Sequence, residues 1–170
     1  MIETIDFNGN EYPKLQTTGN AMRFAMPFAE AIIGKGKVGY DIGCKYPEWS
    51  YPNSILIDPS IDAELDAMKL PKMMVDYIVS SHCLEHLPNW ILALEHWHER
   101  LKRGGILFLY LPNMDAQVYW RGWHNKKHIH YLTPNIMSTY FADNSDKWQK
   151  VFVTDGYDLN SSFYCIAEKI

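Results

Sequence analysis

The chain has 170 residues, 47% hydrophobic and 14% aromatic, which fits one folded domain and leaves no polar or repetitive stretch to read as disordered. A formal charge of -4 and a pI near 5.9 argue against a protein that coats nucleic acid or an anionic membrane, and no run approaches the ~18 apolar residues of a membrane span. Cys44, Cys83 and Cys165 are odd in number and never spaced as C-x-x-C, so neither a disulfide framework nor a zinc knuckle is signalled. With no basic-then-apolar leader at the N-terminus, the expected location is the cytoplasm.

In chain order, Ile5 to Tyr12 carries Asn8-Gly9 between Phe7 and Tyr12, which predicts a small hairpin or loop outside the main fold. Asn20 opens a helix-like stretch that Gly34 stops, with Phe24, Phe28 and Ile32 recurring every four residues and Pro27 as a kink. Three short apolar runs follow, KVGYDI (37–42), SILID (54–58) and DYIVSS (76–81), each read as a buried parallel strand. Pro47 and Pro52 stand between the first two, so the first crossover has no room for a full helix. Pro88 suits the first position of a helix running to about Lys102. Its inner stripe is Ile91, Leu94, Trp97 and Leu101, its solvated face carries His96 and His98, and Gly104-Gly105 is its stop. GILFLYLP (105–112) is a further buried strand, and Thr133-Pro134 starts a helix to about Ala142. VFVTD (151–155) and SFYCIAEK (162–169) read as an antiparallel pair. This order predicts an α/β fold with a doubly wound, mostly parallel sheet, an antiparallel C-terminal strand pair and a shortened first crossover helix.

Sheets of that kind bind ligands at the carboxyl ends of their strands. Asp41 and the Gly43 turn, then Asp58, then Ser80, Ser81 and His82, and finally Asn113 all fall at strand ends. A carboxylate after the second strand suits a ribose diol, because it accepts from two vicinal hydroxyls and repels a phosphate. A glycine turn lets backbone approach a ligand closely.

Six segments stand in order: DIGCK (41–45), LID (56–58), DAMKLP (66–71), SSHCLEHL (80–87), LKRGGILFL (101–109) and LPN (111–113). Together they resemble the class I S-adenosylmethionine-dependent methyltransferases, in particular a small type 11-like branch with DIGCG, an acid after strand two, DA-x-x-LP, ssHvLEHl, LK-GG and lPN. The resemblance implies a seven-stranded-type Rossmann-like methyltransferase sheet and S-adenosylmethionine as cofactor. It implies a single domain over 1–170, with an N-terminal hairpin and helix extension (1–36), a cofactor-binding half (37–113), and a lid with C-terminal strands (114–170). By position, Asp41 and Gly43 match the loop against the cofactor's amino-acid end, Asp58 the ribose ligand, and Asp66 with Ala67 the adenine contact. Ser81 and His82 match the strand exit where cofactor and acceptor meet. Lys45 departs from the pattern by replacing its second glycine, which an ordinary residue can do where the loop needs no positive φ.

Methyl transfer to oxygen requires a base, and histidine titrates in the right range, so His82 is the first candidate base and His130 the second. The acceptor expected is a small molecule or glycan, methylated on O or N. A non-catalytic cofactor-binding module of the same fold is the alternative. His82, Glu85 and His86 also spell H-x-x-E-H, the zinc pattern of inverzincin peptidases, which opens a metal-dependent hydrolase reading. Some ribose- and catechol-type O-methyltransferases resemble this segment with a Glu-x-x-Glu-His cluster holding a divalent cation. Here His82 stands at the first acid, and His128 or His130 is a possible further ligand. The reading adopted is that no metal is bound, and that Glu85 and His86 are hydrogen-bonded structural residues under the loop. RGWHNKKHIHY (121–131) is read as a lid with cations and aromatic faces for an anionic or sugar acceptor.

Overall fold

Residues 3–7, 9–14, 21–116, 120–121 and 125–170 of a computed structural model are described. Asn8, Asn20, Trp123 and His124, to which the sequence gives a turn, a helix start and lid side chains, lie outside them.

The hairpin at the N-terminus forms as expected, from β1 (Thr4–Phe7) and β2 (Asn10–Pro13) paired antiparallel. The main sheet contains β3 (Gly39–Ile42), β4 (Ile55–Ile57), β5 (Val75–Ser81), β6 (Leu101–Pro112), β7 (Trp148–Val153) and β8 (Ser162–Lys169). Their spatial order is β4-β3-β5-β6-β8-β7, parallel through β6 and antiparallel at β8 and β7. Among the described residues six strands thus stand in the main sheet where the resemblance implied a seven-stranded type, and residues 58–74, between β4 and β5, form turns and one isolated bridge (Asp66↔Lys69) rather than a strand. The first crossover is reduced to a single 3-10 turn, Pro47–Trp49, as the two prolines dictate.

α1 (Met22–Ile33) covers one face of the sheet, against Tyr77, Val79, Phe108, Tyr110 and Ile166. Its buried side is Met22, Ala25, Ala29 and Ile33, not the Phe24-Phe28-Ile32 row expected from the sequence. Small alanines let the helix lie close on the strands. Phe24 and Phe28 flank that seam half-buried, and Ile32 is exposed. α2 (Trp90–Arg100) and α3 (Pro134–Asp143) belong to the larger core on the opposite face, with Tyr40, Ile42, Ile78, Leu107 and Leu109. α2 begins later than expected because Asn89, not Pro88, caps it: the Asn89 side chain accepts from the Leu92 N–H. Leu94 and Trp97 are buried as expected, each worth roughly 2–3 kcal/mol of transfer free energy, whereas Ile91 is exposed.

The helix ends at Arg100, and Leu101 to Gly105 already belong to β6. Gly104, at φ +74, lies in a bulge where the pairing with β5 jumps from Val75↔Leu101 to Tyr77↔Ile106. A second irregularity interrupts β7 between Gln149 and Phe152, with Lys150 at φ +48. His96 and His98 are also not free on a solvated face. His96 Nε2 accepts the Leu70 N–H at 2.9 Å, and a His98 ring nitrogen donates to the Lys147 carbonyl at 3.3 Å.

Candidate active site

Parallel register builds the rim. Ile42 pairs with both Ile57 and Ser80, so Gly43, Asp58 and Ser81 are the next residues out on three adjacent strands. Gly43 turns at φ +85 and donates its N–H to the Ile57 carbonyl at 2.8 Å. A Cβ added there would lie 2.5 Å from Cys83 Cβ and 2.6 Å from its Sγ, so both backbone angle and space demand glycine. Lys45 is not among the positive-φ residues, so its turn has no need of the missing glycine; its ammonium sits over the Tyr46 ring, 5.1 Å from the centroid.

The three carboxylates assigned to the cofactor by resemblance fare differently. Asp41 is buried one residue inside the rim, and its Oδ2 accepts the Tyr51 N–H at 2.7 Å. Burial pushes its carboxyl up to about 7 against the pull of that hydrogen bond. Its side chain therefore closes the short loop of residues 43–51 from beneath rather than facing outward. Asp58 accepts the Ser60 N–H (2.8 Å) and hydroxyl (2.5 Å) on Oδ1 alone, and Oδ2 has no hydrogen-bond partner among the described residues. Asp66 is exposed and accepts the Met68 N–H on Oδ1 at 2.8 Å. Ala67 beside it is buried, and its carbonyl accepts from Trp97 Nε1 at 2.7 Å, which ties this loop to α2.

At the β5 exit the Ser81 hydroxyl is buried with no partner among the described residues. His82 then adopts φ +49, a left-handed angle that costs a non-glycine residue roughly 1–2 kcal/mol, and its N–H donates to the Tyr110 carbonyl at 2.9 Å. Its ring lies between Trp120 (centroids 5.0 Å) and Tyr110 (5.5 Å). Nε2 is 2.9 Å from Ser162 Oγ, and that hydroxyl donates to the Asn160 carbonyl at 3.1 Å. Ser162 must therefore accept from Nε2–H, which leaves Nδ1 with the lone pair. Burial, with His128 and His86 nearby, holds His82 well below the usual imidazole range, so the ring is neutral and a weaker base than the near-neutral imidazole expected from the sequence. Ser162 and Asn160 were not legible as site residues; they come from β8 and the turn before it, with no local motif to announce them.

Two other histidines form a separate group with Glu85. His86, Glu85 and His128 converge, with His86 Nε2 3.6 Å and His128 Nε2 3.9 Å from Glu85 Oε1. His82 is not in that group: its left-handed turn sends the ring toward Ser162, so the H-x-x-E-H set of a zinc peptidase does not assemble. The Glu85 backbone carbonyl does hold the loop, accepting from Ile129 N–H (3.0 Å) and His130 N–H (3.2 Å). Its carboxylate, expected to be hydrogen-bonded, is fully buried with neither oxygen bonded among the described residues. His130, the second candidate base, donates from Nε2 to the Leu87 carbonyl at 2.7 Å, and no contact among the described residues joins it to His82.

Asp58 Oδ2 on the rim, without a hydrogen-bond partner among the described residues, fits what a ribose diol requires of a nucleoside cofactor, and the buried, unpaired Ser81 hydroxyl lies two strands away at the same level. A methyltransferase-domain family model matches residues 24–144. Among curated proteins none matches this sequence. Among solved structures, a Thermotoga maritima S-adenosylmethionine-dependent methyltransferase, a possible histamine N-methyltransferase, superposes with a TM-score of 0.69 at 15% identity, covering 92% of this chain and 95% of that one. The Burkholderia thailandensis 1,6-didemethyltoxoflavin-N1-methyltransferase gives 0.63 at 15% identity, covering 92% and 81%. The N-methyltransferase NodS of Bradyrhizobium japonicum gives 0.60 at 13%, covering 92% and 98%. At such identity the structural likeness speaks for the fold, which is that of class I enzymes, and the family match speaks for the chemistry. The chain belongs to the methyltransferase-domain family and is an S-adenosylmethionine-dependent methyltransferase.

Proposed function

We propose that the enzyme methylates a nitrogen or oxygen of a small-molecule or sugar-like acceptor, with His82 as the proton acceptor. The observation that carries this reading is the fixed tautomer of His82 at the β5 exit, with Nε2–H on Ser162 and the lone pair on Nδ1. When bound, the cofactor supplies a methyl group on a cationic sulfur. Asp58 takes the ribose hydroxyls, Asp66 and Ala67 flank the adenine, and Gly43 admits the amino-acid end, while Asp41 acts through the loop it holds. Ser81 and His82 border the reacting atoms. With the cofactor bound, an acceptor N–H or O–H held beside Nδ1 would give up its proton to that nitrogen, which is the role His82 would play in the transfer. His130 acts by positioning, tying the lid segment to Leu87. The whole chain works as one domain, with residues 1–36 as extension, 37–113 as cofactor half and 114–170 as lid and closing strands. The similar structures named for N-methylation favour an amine acceptor. Among the described residues no helix is long and apolar enough to cross a membrane, and the cytoplasm is the proposed location.

Calorimetry with S-adenosylmethionine and its demethylated product tests the cofactor site. Wild type should bind both, and Asp58→Ala should bind at least about tenfold more weakly, as loss of a charge-assisted hydrogen bond predicts. A wild type that binds neither would reject the reading. With a panel of amines and alcohols, His82→Ala should lose turnover while retaining cofactor affinity; unchanged turnover would remove His82 from the chemistry.

A further inference from the structure

Glu85 is the least explained group in the molecule. It is fully buried, neither carboxylate oxygen has a hydrogen-bond partner among the described residues, and two imidazole nitrogens lie within 4 Å of it. The tautomers of those rings are fixed from behind. His86 Nδ1 is 2.7 Å from the Lys127 carbonyl, and His128 Nδ1 is 2.6 Å from the Trp120 carbonyl. A carbonyl only accepts, so each Nδ1 carries the proton and each neutral ring keeps its lone pair on Nε2; that of His128 accepts from Asn125, while that of His86 has no donor among the described residues and stands 3.6 Å from Glu85 Oε1. A lone pair facing a carboxylate repels it unless something positive lies between them. A backbone carbonyl on the far nitrogen of each ring is also how metal-binding histidines are held.

We propose that Glu85, His86 and His128 form a binding site for a divalent first-row transition ion, zinc or iron(II) in class. A tetrahedral ion about 2.0–2.1 Å from each donor needs donors roughly 3.3–3.5 Å apart. The two nitrogens stand 3.6 and 3.9 Å from Glu85 Oε1, so those pairs close by a few tenths of an ångström; all three donor atoms lie within 4.8 Å of one another, and the two rings approach by up to about 1.4 Å to complete the set. Two imidazoles select against magnesium and calcium, which prefer all-oxygen shells. Binding would displace the Asn125 side-chain N–H from His128 Nε2, where it now donates at 3.1 Å. Entry is through His86, the half-exposed member of the set. The ion would clamp two segments remote in sequence, the 84–86 turn and residues 125–130, and leave one tetrahedral position for water or an acceptor atom. The proposal does not rest on the role given to His82 or on the identity of the acceptor.

Zinc and cobalt(II) titrations of chelator-stripped, full-length protein test it, read by elemental stoichiometry, thermal midpoint and the visible absorption of tetrahedral cobalt. One ion per chain, a raised midpoint and a tetrahedral cobalt spectrum are expected. Glu85→Gln and the partly exposed His86→Asn should each weaken zinc at least about 100-fold, since even second-shell losses cost 10–100-fold. Should Glu85→Gln fail to fold, His86→Asn carries the test alone. A wild type that takes up neither ion leaves a proton as the occupant and overturns the proposal. Binding that the folded variants leave unchanged does the same.

Discussion

Two loops leave the sheet side by side, one after β3 and one after β5, and each sets a buried carboxylate beneath the rim. Burial pushes both Asp41 and Glu85 up to about 7, yet their surroundings differ. Asp41 receives a backbone N–H from Tyr51, a donor that cannot leave. Among the described residues neither Glu85 oxygen is hydrogen-bonded to another side chain, and Oε1 faces two ring nitrogens, so a proton on the carboxyl can give way to another cation. The same desolvation serves a permanent closure in one loop and an exchangeable position in the other, so burial alone does not tell a structural acid from a ligand; the identity of its donors does.

The harshest way to break this comparison is to disturb the point where the two loops touch. Gly43→Ala drives a Cβ against Cys83 at an unfavourable backbone angle, and should cost about 3 kcal/mol or more together with cofactor binding. Urea unfolding and calorimetry would check it, and a variant as stable as wild type would show that the contact yields easily. Next in size are the acids themselves. Each binds a proton in the folded state up to about pH 7 and in the unfolded state only to about 4, so the folded form holds the extra proton between those values and stability falls as pH rises through that window. Asp41→Asn should therefore gain about 2–4 kcal/mol at pH 8 and nothing at pH 4. Glu85→Gln should show the same pattern in metal-free protein and reverse it when zinc is added. Denaturation at the two pH values decides, and an equal gain at both would mean that neither effect is electrostatic. Smallest is Lys45→Gly, which restores the family's second glycine. Because Lys45 already has an ordinary backbone angle, we expect about 0.4–1 kcal/mol of lost stability and cofactor affinity within about twofold of wild type.

The mostly parallel sheet and its rim were legible because short apolar runs ending in Asp41, Asp58 and Ser81 leave few alternatives to buried parallel strands. Other features were not, each for a physical reason. Phe24 and Phe28 outrank Ala25 and Ala29 in hydrophobicity, but close packing of a helix on strands selects the small side chains for the seam. Gly104-Gly105 reads as a helix stop, yet its glycine freedom is used in a strand bulge. The partners of His82 and Glu85, namely Ser162 and His128, are distant in sequence, and local spacing carries no information about them. Asp41 was legible as a strand-end acid, but its inward turn depends on the Tyr51 amide that the shortened crossover brings beneath it.

The irregularity in β7 bears on how these molecules meet one another. β7 is a border of the sheet, and Val151 and Phe152 on it are exposed, a combination that invites a neighbouring copy to add a strand. The kink at Lys150 breaks the row of free amides and carbonyls between Gln149 and Phe152 and places a charged side chain there, so an incoming strand finds no continuous ladder to extend. The opposite border, β4, is only three residues long (Ile55–Ile57) and offers still less, so both margins resist fibre-like growth without needing to be covered.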